Sequence, residues 1–279
     1  MEGRFFTQEQ FIKQFNEEVL WAAAVYDRLI KSGFQEYALG EFDFLFVSDQ
    51  REKLEKFSAF LTATYGSKIG EIGEKDGMPG FTGISPLFPI DQDNLLAWGI
   101  DLYFKGFEFD CRLDGYGTFA GPDNKEFPNL EPSQLAYYFD LGISSYNNRN
   151  YGASIINFTS AIKIFPENAN TWYSRAIAKE AIFLTAKARE DYDKAIELAP
   201  TFKEAYINRA VNKSEAEDYT GAIADFNKAI ELDANNAAVY FNRGNTKYTL
   251  GDRDGAIEDW KKAQALGADY AADRLKELE

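Results

Sequence analysis

The strongest constraint on this chain is a 34-residue period that runs from Leu135 to Tyr270 without an insertion. Ala161, Ala195, Ala229 and Ala263 stand 34 apart, each three residues after an aromatic: Phe158, Tyr192, Phe226 and Trp260. With units starting at Leu135, Ala169, Lys203 and Ala237, the fourth positions are Tyr138, Trp172, Tyr206 and Tyr240, and the eighth are Gly142, Ala176, Ala210 and Gly244. Position 20 reads Ser154, Ala188, Ala222 and Ala256, and position 32 reads Pro166, Pro200, Ala234 and Ala268. Small residues at positions 8 and 20 let two antiparallel helices cross closely, while the aromatics at 4 and 24 fill the space between units. Such units stack into a continuous core.

The pattern resembles the tetratricopeptide repeat (TPR) family. The resemblance implies an all-α solenoid of four helix pairs over residues 135–279, closed by a capping helix from Ala271 to Glu279 with Leu275 and Leu278 turned inward. Comparing the units with one another adds a further expectation. Arg175, Arg209 and Arg243 hold position 7, and Asp191, Asp225 and Asp259 hold position 23 on the second helix. In the first unit both change together, to Leu141 and Asn157. Covariation inside one chain predicts an Arg–Asp pair between the two helices of each of the last three units, with bidentate geometry the natural choice.

In that family the first-helix positions line the inner face. Here the resemblance makes Phe139, Asp140, Tyr146, Tyr173, Asn208, Phe241, Asn242, Asn245 and Tyr248 the candidate peptide-binding residues. Aromatics would hold apolar side chains and amides would bond a peptide backbone. Asn208 and Asn242 have an equally simple structural reading, as ties between neighbouring units. The family's clamp for chaperone C-terminal carboxylates would need basic residues and asparagines where this chain has Tyr173, Ile177, Asn208, Ala238 and Asn242. Only Asn208 matches, so that receptor role is excluded.

Length and composition bound the rest. At 279 residues the chain has room for about two domains of ~100 to 200 residues. We place a first domain at 1–120, a linker at 121–134 (GPDNKEFPNLEPSQ, with three prolines) and the repeats beyond. Residues up to Gln134 carry 23 acidic against 12 basic side chains, and the repeats 22 against 18. An acidic first domain argues against direct nucleic-acid binding, which needs a basic footprint, and suits a basic protein partner. No apolar run is long enough to span a membrane, and the opening residues lack the zones of a secretory signal. One cysteine excludes an internal disulfide, and the expectation is a cytoplasmic protein.

In the first domain, Thr7 and Gln10 form a capping-box pattern ahead of Phe11, Phe15, Val19, Ala22, Tyr26 and Leu29 at helical spacing. Glu41 to Val47 alternates, predicting a strand with Phe42, Phe44 and Phe46 inward. A second helix, capped by Asp49 and Glu52, runs to Gly66. A hairpin turning at Asp76 and Gly77 follows, then a helix from Asp91 to Gly106. A last strand should place Phe107, Phe109, Cys111 and Leu113 on one side and Glu108, Asp110, Arg112 and Asp114 on the other. This order predicts an α+β ferredoxin-like fold with an extra N-terminal helix. Its open sheet face would gather Glu41, Asp43, Glu108, Asp110 and Asp114 as an acidic protein-binding surface, with Tyr116 beside it.

After that strand comes Asp114-Gly115-Tyr116-Gly117-Thr118-Phe119, read as a tight reversal. An Asp-Gly-aromatic-Gly-Thr-aromatic run ending a compact acidic domain resembles the bacterial regulator of ribonuclease activity B family, protein inhibitors of the endonuclease RNase E. The stretch from Pro86 through Trp98 to Asp110 is similar to related sequences in longer bacterial proteins. The resemblance covers about residues 20 to 122. It implies a ferredoxin-like fold and a ribonuclease or RNA-processing protein as partner. Tyr116 stands where the family more often has Trp, and the acidic tail of the small inhibitors is replaced by the repeats.

The chain contains no histidine, which removes the commonest general base near neutral pH and the commonest metal ligand. Neither a Ser–His nor a Cys–His nucleophile can be assembled, and no phosphate-binding glycine loop is present. The expectation is therefore a protein without catalytic, cofactor-binding or metal-binding residues: an interaction regulator, or alternatively a scaffold in another bacterial assembly with the first domain as its docking piece.

Overall fold

The computed structural model describes residues 4–117 and 126–276. Thr118, Phe119, residues 121–125 of the expected linker, and Leu278 lie outside them. The chain divides into two compact units, Met1–Pro166 with Ala178–Phe183, and Glu167–Ile177 with Leu184–Glu279.

In the first unit, α1 (Gln8–Lys31) opens with the expected capping box. The Thr7 hydroxyl accepts the Gln10 N–H, and the Gln10 side chain accepts the Thr7 N–H. Next come β1 (Leu39–Gly40) and β2 (Asp43–Val47), where Phe42, Phe44 and Phe46 are buried while Asp43 and Leu45 are half-exposed. α2 (Arg51–Phe60) passes into a π-helical turn, Leu61–Tyr65, and stops at Gly66 with φ 68. Its cap differs from expectation: Gln50 occupies the N-cap without a side-chain bond. Asp49 instead accepts from Lys53 at 2.7 Å, because a lysine four residues on competes for its carboxylate.

β3 (Lys68–Ile69) and β4 (Gly73–Lys75) precede β5 (Met78–Ile84). β4 and β5 meet through Asp76 and Gly77 at φ 49 and 79, the left-handed pair whose twist suits a two-residue hairpin. β6 (Phe88–Pro89) pairs with β1 in a separate ribbon. Asp91 accepts the Asn94 N–H at 2.8 Å and starts α3 (Gln92–Glu108), and β7 (Arg112–Tyr116) follows. The main sheet has the order β3-β5-β2-β7 with antiparallel neighbours, β4 extending the β5 side. The phenylalanines of β2 meet α2 and β5, with Phe46 4.7 Å from Phe57 and 5.9 Å from Phe81 between ring centroids. Gly83 is obligatory here: a Cβ on it would lie 2.3 Å from the Phe44 ring.

The last strand corrects two expectations. Phe107 and Glu108 belong to α3, Asp110 turns at φ 57, and extended structure begins only at Arg112. The apolar run around Tyr103 to Phe107 fits either period, and α1 decides it. Phe11 stacks on Tyr103 at 4.9 Å and meets Phe107 at 4.6 Å, a partnership that requires both rings on one helical face. The Asp114-Gly115-Tyr116 stretch continues the strand instead of reversing, with an irregularity opposite Leu45 and Phe46.

The first helix pair, α4 (Leu135–Asn147) and α5 (Tyr151–Ile164), lies in the same unit as the sheet. α5 packs directly on α3. A Cβ at Gly152 would lie 3.2 Å from both the Ala97 carbonyl oxygen and the Asp101 Cβ.

The second unit is helical. It takes in the first part of α6 (Ala169–Glu180), then α7 (Thr185–Leu198), α8 (Lys203–Glu215), α9 (Tyr219–Leu232), α10 (Ala237–Leu250), α11 (Arg253–Ala265) and α12 (Ala271–Lys276). Ala210, Ala222, Ala229, Phe226 and Val239 form one buried cluster. Tyr240, Ala256, Trp260 and Ala263 form another, against which Leu275 of α12 packs. Asp218 and Asp252 cap the second helices of their pairs, each accepting an N–H three residues on at 3.0 Å.

Candidate protein-interaction surfaces

The covarying residues of the repeats meet as predicted. Asp191 accepts two bonds from Arg175, at 2.8 and 2.7 Å. Asp225 accepts from Arg209 at 2.8 and 2.6 Å, and Asp259 from Arg243 at 2.8 and 2.5 Å. All three aspartates are buried. Two features escaped the sequence reading. Lys213 and Lys247 join the same carboxylates at 2.8 and 2.9 Å. The remaining guanidinium nitrogen of Arg209 reaches Asp193 at 2.6 Å, and that of Arg243 reaches Asn227 at 2.6 Å, so each arginine also ties its pair to the preceding one. The signal was present in Lys179, Lys213 and Lys247, which share position 11. These charges are satisfied within the array.

In the first pair, Leu141 and Asn157 replace the ion pair, and both line a cleft of about 330 Å³ together with Phe88, Trp98 and Tyr138. Beside it the Asp101 carboxylate is wholly buried. Its Oδ2 accepts from the Tyr65 hydroxyl at 2.6 Å and from the Gly152 N–H at 3.0 Å, while Oδ1 has no hydrogen-bond partner among the described residues. Burial pushes this carboxyl up to about 6, against the pull of the two hydrogen bonds.

Several candidate peptide-binding residues are engaged internally. Within the second unit, Asn208 donates to the Tyr173 hydroxyl at 3.1 Å, and Tyr173 lies 4.7 Å from Phe202 between centroids. Asn245 accepts the Trp260 indole N–H at 3.1 Å, Tyr248 lies 5.6 Å from the same indole, and Phe241 meets Tyr270 edge-on at 4.7 Å. Asn242 is half-exposed on the same helix. In the first unit, Phe139 meets Phe158 at 5.6 Å and Tyr146 meets Tyr151 at 5.4 Å, while Asp140 is exposed.

The acidic group of the first domain is not one surface. Asp43 and Asp114 sit on β2 and β7, outside the buried set, and Glu41 is half-exposed just ahead of β2. Glu108 ends α3, where it accepts from Lys105 at 3.0 Å and from Arg149 at 2.9 Å. Asp110 accepts the Phe5 and Phe6 N–H groups at 3.1 and 2.8 Å and Lys53 at 2.6 Å. Its carboxylate is consumed in fixing the start of the chain against α2, and Arg4 donates to the neighbouring Phe107 carbonyl. Tyr116 is buried edge-on against Trp98 at 5.4 Å, so it is core and not part of an exposed patch.

Cys111 is wholly buried and its thiol is pushed up to about 12 by burial, a packing residue and not a nucleophile. Among the described residues no group of three or more acidic or cysteine side chains could hold a metal ion, and no helix is long and apolar enough to cross a membrane.

Comparison with known proteins agrees with the repeat reading. A family model described as a TPR repeat matches residues 215–251. Solved structures of similar fold include a MamA protein, 24% identical with TM-score 0.47, covering 48% of this chain and 73% of that one. Another is the Arabidopsis OM64 TPR domain, 22% identical with TM-score 0.41, covering 42% and 98%. The first TPR of Spaghetti (RPAP3), solved bound to an HSP90 peptide, is 20% identical with TM-score 0.42, covering 43% and 95%. No curated protein matches the chain. The family-model match and the paired helices make the C-terminal half a TPR-like helical solenoid, after an N-terminal half that carries a small sheet.

Proposed function

We propose that this protein is a non-catalytic interaction scaffold, and that its partner is a ribonuclease or another RNA-processing protein. The observation that carries the scaffold reading is the internal satisfaction of every Arg–Asp pair of the last three repeats. It leaves a first-helix surface of aromatic and amide side chains, Asn242 and Tyr248 among them, as the part offered to a protein ligand. The mismatch at the carboxylate-clamp positions argues against chaperone tails as that ligand.

The partner class rests on the first unit. Its strand order β3-β5-β2-β7, with helices between the first two and the last two long strands, supports the ferredoxin-like reading. With the Asp-Gly-Tyr-Gly run at its end, it supports kinship with the ribonuclease regulators. Two linked contacts would then reinforce one another by effective concentration.

The test is co-precipitation with the full chain, in wild type and in two variants, Asp43→Lys with Asp114→Lys, and Asn242→Ala with Tyr248→Ala. Recovery of an RNA-processing protein that the first variant loses is the expected result. Its absence from the wild-type precipitate rejects the ribonuclease reading. Partners that ignore the second variant reject the use of the repeat face.

A further inference from the structure

β7 is an edge of the main sheet, and among the described residues it pairs only with β2. Alongside it runs a groove of about 290 Å³ lined on one side by Gln14, Glu17, Glu18 and Trp21 of α1 and on the other by Arg112, Leu113, Asp114 and Gly115 of β7. A strand and a helix so spaced form the walls between which an extended chain can add itself to a sheet.

The charges in this groove are unbalanced. Glu17, Glu18 and Asp114 line it with one cation, Arg112, which is already bound to Asp114 at 3.1 Å. Glu17 and Glu18 form no ion pair among the described residues. Burial, with Glu17 adjoining, pushes the Glu18 carboxyl up to about 7, the response of an acid held in a partly enclosed place without a counter-ion. Trp21 is 46% exposed and Leu20, beside it on the helix, 70%. The Trp21 ring already holds one cation, Arg28, whose guanidinium carbon lies 5.6 Å from its centroid. Natural sheet edges are usually blunted with lysine, proline or a covering element. β7 carries charged Arg112 and Asp114 and the irregularity opposite Leu45 and Phe46, yet among the described residues no strand pairs with its outer side and no cation pairs with Glu17 or Glu18.

We propose that the groove between α1 and β7 is a docking site for an extended, lysine- or arginine-bearing segment of a partner protein, which joins the sheet as a strand beside β7 and places its cations against Glu17 and Glu18. The proposal deepens the reading of the first unit as a protein-binding module. It locates that contact on the sheet edge and α1, not on the open sheet face.

The experiment uses the full chain and synthetic probes, so its outcome does not depend on identifying a natural partner. A capped peptide of alternating threonine and lysine is titrated by calorimetry and by amide chemical shifts. Two further probes replace lysine with glutamate or carry N-methyl groups on alternate backbone amides. The expected result is saturable binding of the lysine peptide with shifts at Asp114 and Gly115. Glu17→Gln with Glu18→Gln should weaken it by about tenfold, and the glutamate and N-methylated peptides should not bind. Both substitutions lie on a helix surface and leave the core unchanged. No saturable binding, equal binding of the glutamate peptide, or indifference to N-methylation or to the glutamine variant would each overturn the proposal.

Discussion

Arg209 and Asp225 are joined by two hydrogen bonds, 2.8 and 2.6 Å, between the two helices of one repeat, and Lys213 reaches the same carboxylate at 2.8 Å. Taking away Asp225 strands two cations in a partly buried place, and taking away Arg209 leaves that carboxylate to Lys213 alone; breaking a buried pair typically costs about 3 to 5 kcal/mol. Arg209→Leu or Asp225→Asn alone should each lower the urea midpoint sharply. The double variant, which copies the Leu141 and Asn157 arrangement of the first pair, should lose clearly less than the sum. A solenoid does not unfold strictly as two states, so midpoints by circular dichroism are the appropriate measure. Additive losses would contradict the pairing.

Gly152 is pressed against α3, and an added methyl would sit 3.2 Å from the Ala97 carbonyl oxygen and from Asp101. Gly152→Ala is expected to destabilise the first unit by about 1 to 3 kcal/mol through overpacking. Gly73→Ala, where no atom lies within 4 Å of the added carbon, is the control and should move the melting temperature little.

Asp101 should make stability fall as pH rises. Its folded value of about 6 lies above the ordinary 3.8. The group's contribution is therefore full below about 3.8 and is lost as pH climbs through about 6. The total is on the order of 3 kcal/mol. Glu18 shifts in the same direction, so the informative quantity is the difference between wild type and Asp101→Asn. Urea midpoints at pH 4.5 and 7.5 should show the asparagine variant gaining on wild type at the higher pH. A constant difference would refute the assignment.

Asn245 holds the indole N–H of Trp260. Asn245→Ala should cost about 1 kcal/mol, the usual loss for one hydrogen bond, whereas Asn242→Ala should leave the melting temperature unchanged. Differential scanning calorimetry separates them, and an equal loss from both would remove Asn242 from the set of ligand-facing residues.

The repeats were legible because the chain carries its own comparison. Joint replacement of Arg and Asp by Leu141 and Asn157 announced a contact no single unit could reveal. Lys213 and Lys247 were missed because a surface lysine is the ordinary content of a helix, and only geometry shows which carboxylate it reaches. In the first unit the phenylalanines of β2 were readable from alternation. The stretch from Tyr103 to Asp110 was not, since its apolar spacing satisfies two periods and the deciding partner, Phe11, lies about a hundred residues earlier. The burial of Tyr116 under Trp98 and the use of Asp110 as an anchor for Phe5 and Phe6 are likewise tertiary facts. α4 and α5 belong to the sheet's compact unit, and the close seat of α5 on α3 falls at Gly152, where the other repeats have Ala186, Thr220 and Asp254.

The guanidinium of Arg209 and that of Arg243 each grip the unit before their own, and Leu141 gives the array a polarity at its beginning. A duplicated unit spliced ahead of Leu135 would present its acceptor to a leucine and find nothing to hold it. A copy added after the third pair would find Asn227 to grip, whereas the fourth pair offers Lys261 at that position. Lengthening by duplication is thus open inside the array and closed at both of its ends.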